Sequence, residues 1–136
     1  QTKSNGSSTF KKLWRKKDIL DCHYSTPVAH GGYLFGFHGR QERGPVLRCI
    51  RLKDGLVKWE EASLGSGNLI KVGEQIFTLT DRGELIVFSA DSNKCNILHR
   101  QQILGTGGRS HFAISDGLLI ARDQRRLICL DLKVFE

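Results

Sequence analysis

The chain has 136 residues, 39% hydrophobic and 26% charged, which is enough to bury one core and excludes a natively unfolded polypeptide. No stretch of 18 apolar residues occurs, so no helix of this sequence spans a membrane. The 21 basic against 14 acidic side chains, net +7, favour an anionic partner, yet no groove-reading helix or aromatic-interleaved basic platform accompanies them, so no specific nucleic-acid recognition is expected.

In chain order, residues 1–8 (Q-T-K-S-N-G-S-S) read as a disordered polar tail. The start lacks both a methionine and a signal peptide, as expected of an excised piece of a longer protein. Residues 9–17 hold K-K-L-W-R-K-K around Trp14 and are expected to form an outer strand. Three units follow, over 24–62, 66–102 and 110–133. Each brings a short strand (T-P-V-A-H, N-L-I-K-V, H-F-A-I-S) into a tight turn at Gly31-Gly32, Gly73-Glu74 or Asp116-Gly117. The next strands begin at Tyr33, Gln75 and Leu118, offsets of 42 and 43 residues. Third strands are L-R-C-I-R-L, L-I-V-F-S-A and L-I-C-L-D-L, and two units add a fourth, L-V-K-W-E and C-N-I-L-H-R.

No segment sustains an apolar period of 3.6 residues, so helix is not expected. Four short strands per unit of about forty residues is the pattern of a β-propeller blade, and the predicted fold is all-β, about three blades of a larger propeller. Asp54-Gly55 fits a two-residue hairpin with both residues at positive φ. Trp59, on the exposed fourth strand, is expected to cover that edge by docking against the next blade, with Gly55 supplying the turn and Trp14 in a similar context.

The loops entering the first strands, Asp21–Ser25, Leu64–Asn68 and Gly105–His111, are the expected functional face. His23, Tyr24, Asn68, Arg109 and His111 are its candidate ligand-binding residues. Arg109, flanked by glycines, is the foremost anion binder. No catalytic residue and no metal site is assigned. The five histidines match no ligand spacing, Cys22 and His23 are mere sequence neighbours, and no helix follows Gly105–Gly108 to make it a phosphate cradle. Cys22, Cys49, Cys95 and Cys129 form no C-x-x-C pair and read as buried free thiols, one disulfide being the alternative.

The run L-R-C-I-R-L followed by D-G-x-x-x-W resembles the pyrroloquinoline-quinone (PQQ) repeat family. Cys49, Ile50, Gly55 and Trp59 match its pattern, Arg51 stands where Asp or Asn is preferred, and Asp131 restores that acid in the third unit. From Trp14 to Lys133 the chain is similar to PQQ-like propellers of bacteria with many exported proteins. The resemblance implies the C-terminal part of a ring of about six to eight blades. The rest of that ring would be its neighbour, in the periplasm or otherwise outside the cytoplasm. Residues 9–17 would be the outer strand of one blade, and they are candidates to pair beside Leu127–Leu132, where the last blade lacks its own. Functionally it implies a non-catalytic scaffold for a protein partner or anionic ligand, with no cofactor. The alternative is a PQQ-dependent alcohol or sugar dehydrogenase using PQQ with calcium. That branch needs an adjacent cysteine pair, an inner-strand tryptophan and an oxygen-ligand cluster, none of which stands in this sequence.

Overall fold

A computed structural model describes residues 9–133, so the tail assigned to 1–8 lies outside the described residues. The described chain is all-β: three small antiparallel sheets, each laid down in sequence order. Sheet I contains β1 (Val28–His30), β2 (Tyr33–His38), β3 (Val46–Arg51) and β4 (Val57–Glu61). Sheet II contains β5 (Gly67–Val72), β6 (Gln75–Thr80), β7 (Glu84–Ser89) and β8 (Ile97–Gln102). Sheet III has β9 (Ala113–Ser115), β10 (Leu118–Arg122) and β11 (Leu127–Asp131). One 3-10 turn, Gln41–Arg43, interrupts the β2–β3 connection.

The sheets stack face to face. Phe35, Phe37, Leu47 and Cys49 of sheet I pack with Leu69, Ile76, Ile86 and Phe88 of sheet II. The opposite face of sheet II (Phe77, Leu79, Leu85, Val87) packs with Leu119 and Ala121 of sheet III. This is why β7 reads L-I-V-F without alternation: successive side chains point to opposite faces, and both are covered. β10 and β11 alternate instead. Leu119 and Ala121 are buried, whereas Leu118, Ile120 and Leu127 are 42%, 44% and 73% exposed.

Each sheet repeats the same joints. Leu52 N donates to Gly32 O, Ala90 N to Glu74 O and Leu132 N to Gly117 O. The ladder slips at equivalent places, between Cys49 and Ile50 and between Val87 and Phe88. The connections out of β4 and β8 each sink one leucine into a gap between sheets, Leu64 and Leu104, both nearly fully buried.

Trp59 faces the next sheet. Its Nε1 donates to Asp91 O at 2.9 Å, and its ring lies 5.9 Å from that of Phe35 at 50°. Trp14 does likewise one sheet earlier: Nε1 donates to Leu52 O at 2.8 Å, and the ring covers Gly55.

Three expectations are corrected. Residues 9–17 form no strand, because a strand needs a hydrogen-bonding neighbour and none stands beside them among the described residues; β11 pairs with β10 alone. The Asp54-Gly55 turn is not the two-residue type. Only Gly55 has positive φ (+70), Gly55 N reaches back to Arg51 O, and Asp54 caps the turn by accepting from Leu56 N at 3.1 Å. The two-residue geometry occurs at Asp116-Gly117, where φ is +52 and +77. Finally, all four cysteines are free, but only Cys49 is buried: Cys22 and Cys95 are half-buried, and Cys129 is exposed because the alternation of β11 turns it to the outer face of sheet III.

Candidate functional site

In a meander the connections alternate between the two ends of the sheet. One end therefore gathers the loops into β1, β5 and β9 with the β2–β3, β6–β7 and β10–β11 turns. Asp81, in the β6–β7 turn, is the hub of these loops. Its N–H donates to Ser66 O at 2.8 Å, its carbonyl accepts from Gly107 N at 2.8 Å, and its Oδ2 accepts from Gln41 Nε2 at 2.8 Å. All three sheets are thus tied through one residue.

Four of the five sequence candidates meet beside this hub. Tyr24 shares a hydrogen bond of 3.2 Å with Ser66 Oγ, and the His23 and Tyr24 rings are 5.3 Å apart. The Arg109 guanidinium lies 5.8 Å from the Tyr24 ring centroid, within cation–π range. Asn68, 3% exposed, donates through Nδ2 to Arg109 O at 3.2 Å and so fixes the loop that presents that arginine. His111 is exposed and makes no hydrogen bond to this group.

The buried oxygens around the hub are under-satisfied. Gln41 Oε1, Asn68 Oδ1, Asp81 Oδ1, Ser25 Oγ and Thr78 Oγ1 have no protein partner among the described residues. Buried oxygens of this kind are ordinarily satisfied by ordered water.

The outer parts of the same end are cationic. Arg40 and Arg43 line a cleft of about 690 Å³ with His23, His38 and the carboxylates of Asp21 and Glu60. Arg125 lines a second, of about 550 Å³, beside Gly105 and Thr106. Glu42 is held below the usual carboxylate range, first by its backbone hydrogen bond and then by the nearby charges of Arg40 and Arg109. Arg48, in contrast, is consumed by structure, paired with Glu60 at 2.6 Å and donating to Asp18 O and Ile19 O.

Asp123 shapes the second cleft. Its Oδ1 accepts from Arg125 N (2.8 Å) and Arg126 N (2.7 Å), and its Oδ2 from Gly105 N (3.0 Å) and Arg126 Nη2 (3.1 Å). Those donors, the Gly105 and Arg125 N–H groups foremost, hold its carboxyl far below the ordinary value. Burial raises the Cys22 thiol above its ordinary value, with Asp21 adding to the rise. Among the described residues no three His, Cys, Asp or Glu side chains converge as metal ligands.

A scan against family models and a search of curated proteins found no match to this chain. Sequence reasoning missed Gln41, Ser66 and Asp81. The only local signal was Ser66-Gly67, where any side chain on Gly67 would meet Leu79 O at 2.6 Å.

Proposed function

We propose that the three sheets are consecutive blades of a β-propeller of the PQQ-like kind, and that the chain is a non-catalytic binding scaffold. Its ligand is an anionic group, such as an acidic segment of a partner protein, taken at the loop-bearing end. The observation that carries this reading is the cationic rim: Arg109 is held over Tyr24, and Arg40 and Arg43 line the adjoining cleft. The face-to-face stacking and the Trp59 contact between sheets support the propeller part. An extracytoplasmic location follows from the resemblance alone.

The test uses a fluorescently labelled octaglutamate peptide titrated in anisotropy. Saturable binding that weakens steeply with salt is expected, as is a loss of about tenfold or more in Arg40→Ala/Arg109→Ala. Binding unmoved by salt or by the double substitution overturns the anionic-ligand reading. Turnover of an alcohol or sugar with a dye acceptor, after adding PQQ and calcium, overturns the non-catalytic one.

A further inference from the structure

The connection from the second strand to the third is longest in sheet I, residues 39–45, against 81–83 in sheet II and 123–126 in sheet III. The added residues fold as the Gln41–Arg43 turn between Gly39 and Gly44, at φ +93 and +70, and none of its three residues is fully buried. Arg40 and Arg43, which line the larger cleft, are therefore carried on a loop with little core of its own. Its side-chain tie to sheet II is Gln41, through Nε2 to Asp81 Oδ2.

Beside that tie lies a small cavity between sheets I and II. Tyr24, Ser25, Phe37, Gln41, Ser66 and Gly67 are among the residues around it, and its volume is about 10 Å³, room for one water molecule and nothing larger. Ser25 is 8% exposed, and neither its Oγ nor Gln41 Oε1 has a protein partner among the described residues. A carboxylate only accepts, so Asp81 fixes the side on which the Gln41 amide holds its nitrogen and leaves Oε1 turned from it. Tyr24 and Ser66 share one hydrogen across 3.2 Å, so the other hydroxyl hydrogen of the pair remains to be given or matched.

We propose that this cavity is a binding site for one water molecule, and that the water latches the loop of Arg40 and Arg43 to the body of the molecule. The water donates to Gln41 Oε1, accepts from Ser25 Oγ and gives its second hydrogen to the Tyr24–Ser66 pair. That makes about three hydrogen bonds, the usual number for a buried water. A metal cation of similar size is disfavoured: no described residue around the cavity is acidic, and the Arg109 guanidinium stands over the Tyr24 ring. The loop is then held on both sides of the Gln41 amide, by Asp81 and by the water. Ser25, which precedes β1, acts on the two arginines only through that water. The site stands whether or not the rim binds an anion.

A crystal structure at high resolution tests occupancy, and amide exchange tests the latch. The expected density peak lies about 2.6–3.2 Å from both Gln41 Oε1 and Ser25 Oγ. No peak, or one with contacts of about 2.4 Å as a metal ion makes, overturns the proposal. Arg43 N, which donates to Arg40 O at 3.0 Å, reports the closed loop. Ser25→Ala removes a partner of the water and no atom of the loop, so exchange at Arg43 should quicken about threefold or more while the amides of β2 and β3 keep their rates. Gln41→Met removes both ties and should quicken it further, about tenfold or more. Unchanged exchange at Arg43 in Ser25→Ala overturns the latch, and so does a rise shared equally by β2 and β3, which marks general loosening.

Discussion

Replacing Trp59 with phenylalanine keeps an aromatic ring against Phe35 and deletes one directional contact. The indole N–H that reaches Asp91 O at 2.9 Å is lost, and the carbonyl in sheet II is left without that donor. A hydrogen bond of this kind contributes about 1 kcal/mol, and the smaller ring forfeits some burial, so the expected cost is about 1–2 kcal/mol. Trp59→Ala also removes the tilted pair at 5.9 Å, worth about 0.5–1.5 kcal/mol, and the packing of a half-buried ring. Its expected cost is about 3 kcal/mol, at the lower end for such truncations. Equilibrium urea unfolding followed by far-UV circular dichroism measures both, with the slope unchanged if the transition stays two-state. A Trp59→Phe protein within about 0.3 kcal/mol of the parent would refute the idea that this bond helps lock sheet I to sheet II. So would an alanine variant no weaker than the phenylalanine one.

Other perturbations separate structural from peripheral contributions. Gly83→Ala, at φ +78 with the Leu104 and Gly105 carbonyls against the added carbon, should cost about 3 kcal/mol or more; Gly73→Ala, in open space at φ +57, should cost about 1 kcal/mol, both read from urea midpoints. Asp54 is depressed to about 2, chiefly by its hydrogen bonds from Arg51 and then by Leu56 N–H. A lowered carboxylate stabilises the fold fully above its unfolded value of about 3.9 and ceases to do so as pH falls through the folded one. The deficit of Asp54→Asn should therefore be present at pH 6 and shrink towards pH 2. Asp123 is depressed further, so the Gly105, Arg125 and Arg126 amides should remain protected from hydrogen exchange at pH 3 and lose protection in Asp123→Ala.

The all-β class was legible because its signals are local. Glycine-bearing turns and short apolar runs recur at offsets of 42 and 43 residues. What failed was whatever depends on a neighbour. K-K-L-W-R-K-K has the composition of a strand, but among the described residues no strand pairs with it. Cys129 sits in an apolar run, and its exposure depends on which face of sheet III it occupies, the one that no described residue covers. His23, Tyr24 and Arg109 precede the first strands of their sheets and Asn68 stands at the start of β5, so their common end of the molecule could be anticipated from local sequence. Arg109 contributes its carbonyl as well as its charge, which no side-chain reading anticipates. Asp81 and Gln41 were invisible for a simpler reason: their contact joins loops 40 residues apart and leaves no periodic trace.

The uninterrupted L-I-V-F of β7 has a bearing on how the molecule comes apart. Because its neighbours' side chains belong to two separate cores, losing that strand would dissolve both at once, whereas either flanking sheet can loosen alone. The middle layer is thus a keystone, expected to open last and to show the slowest amide exchange.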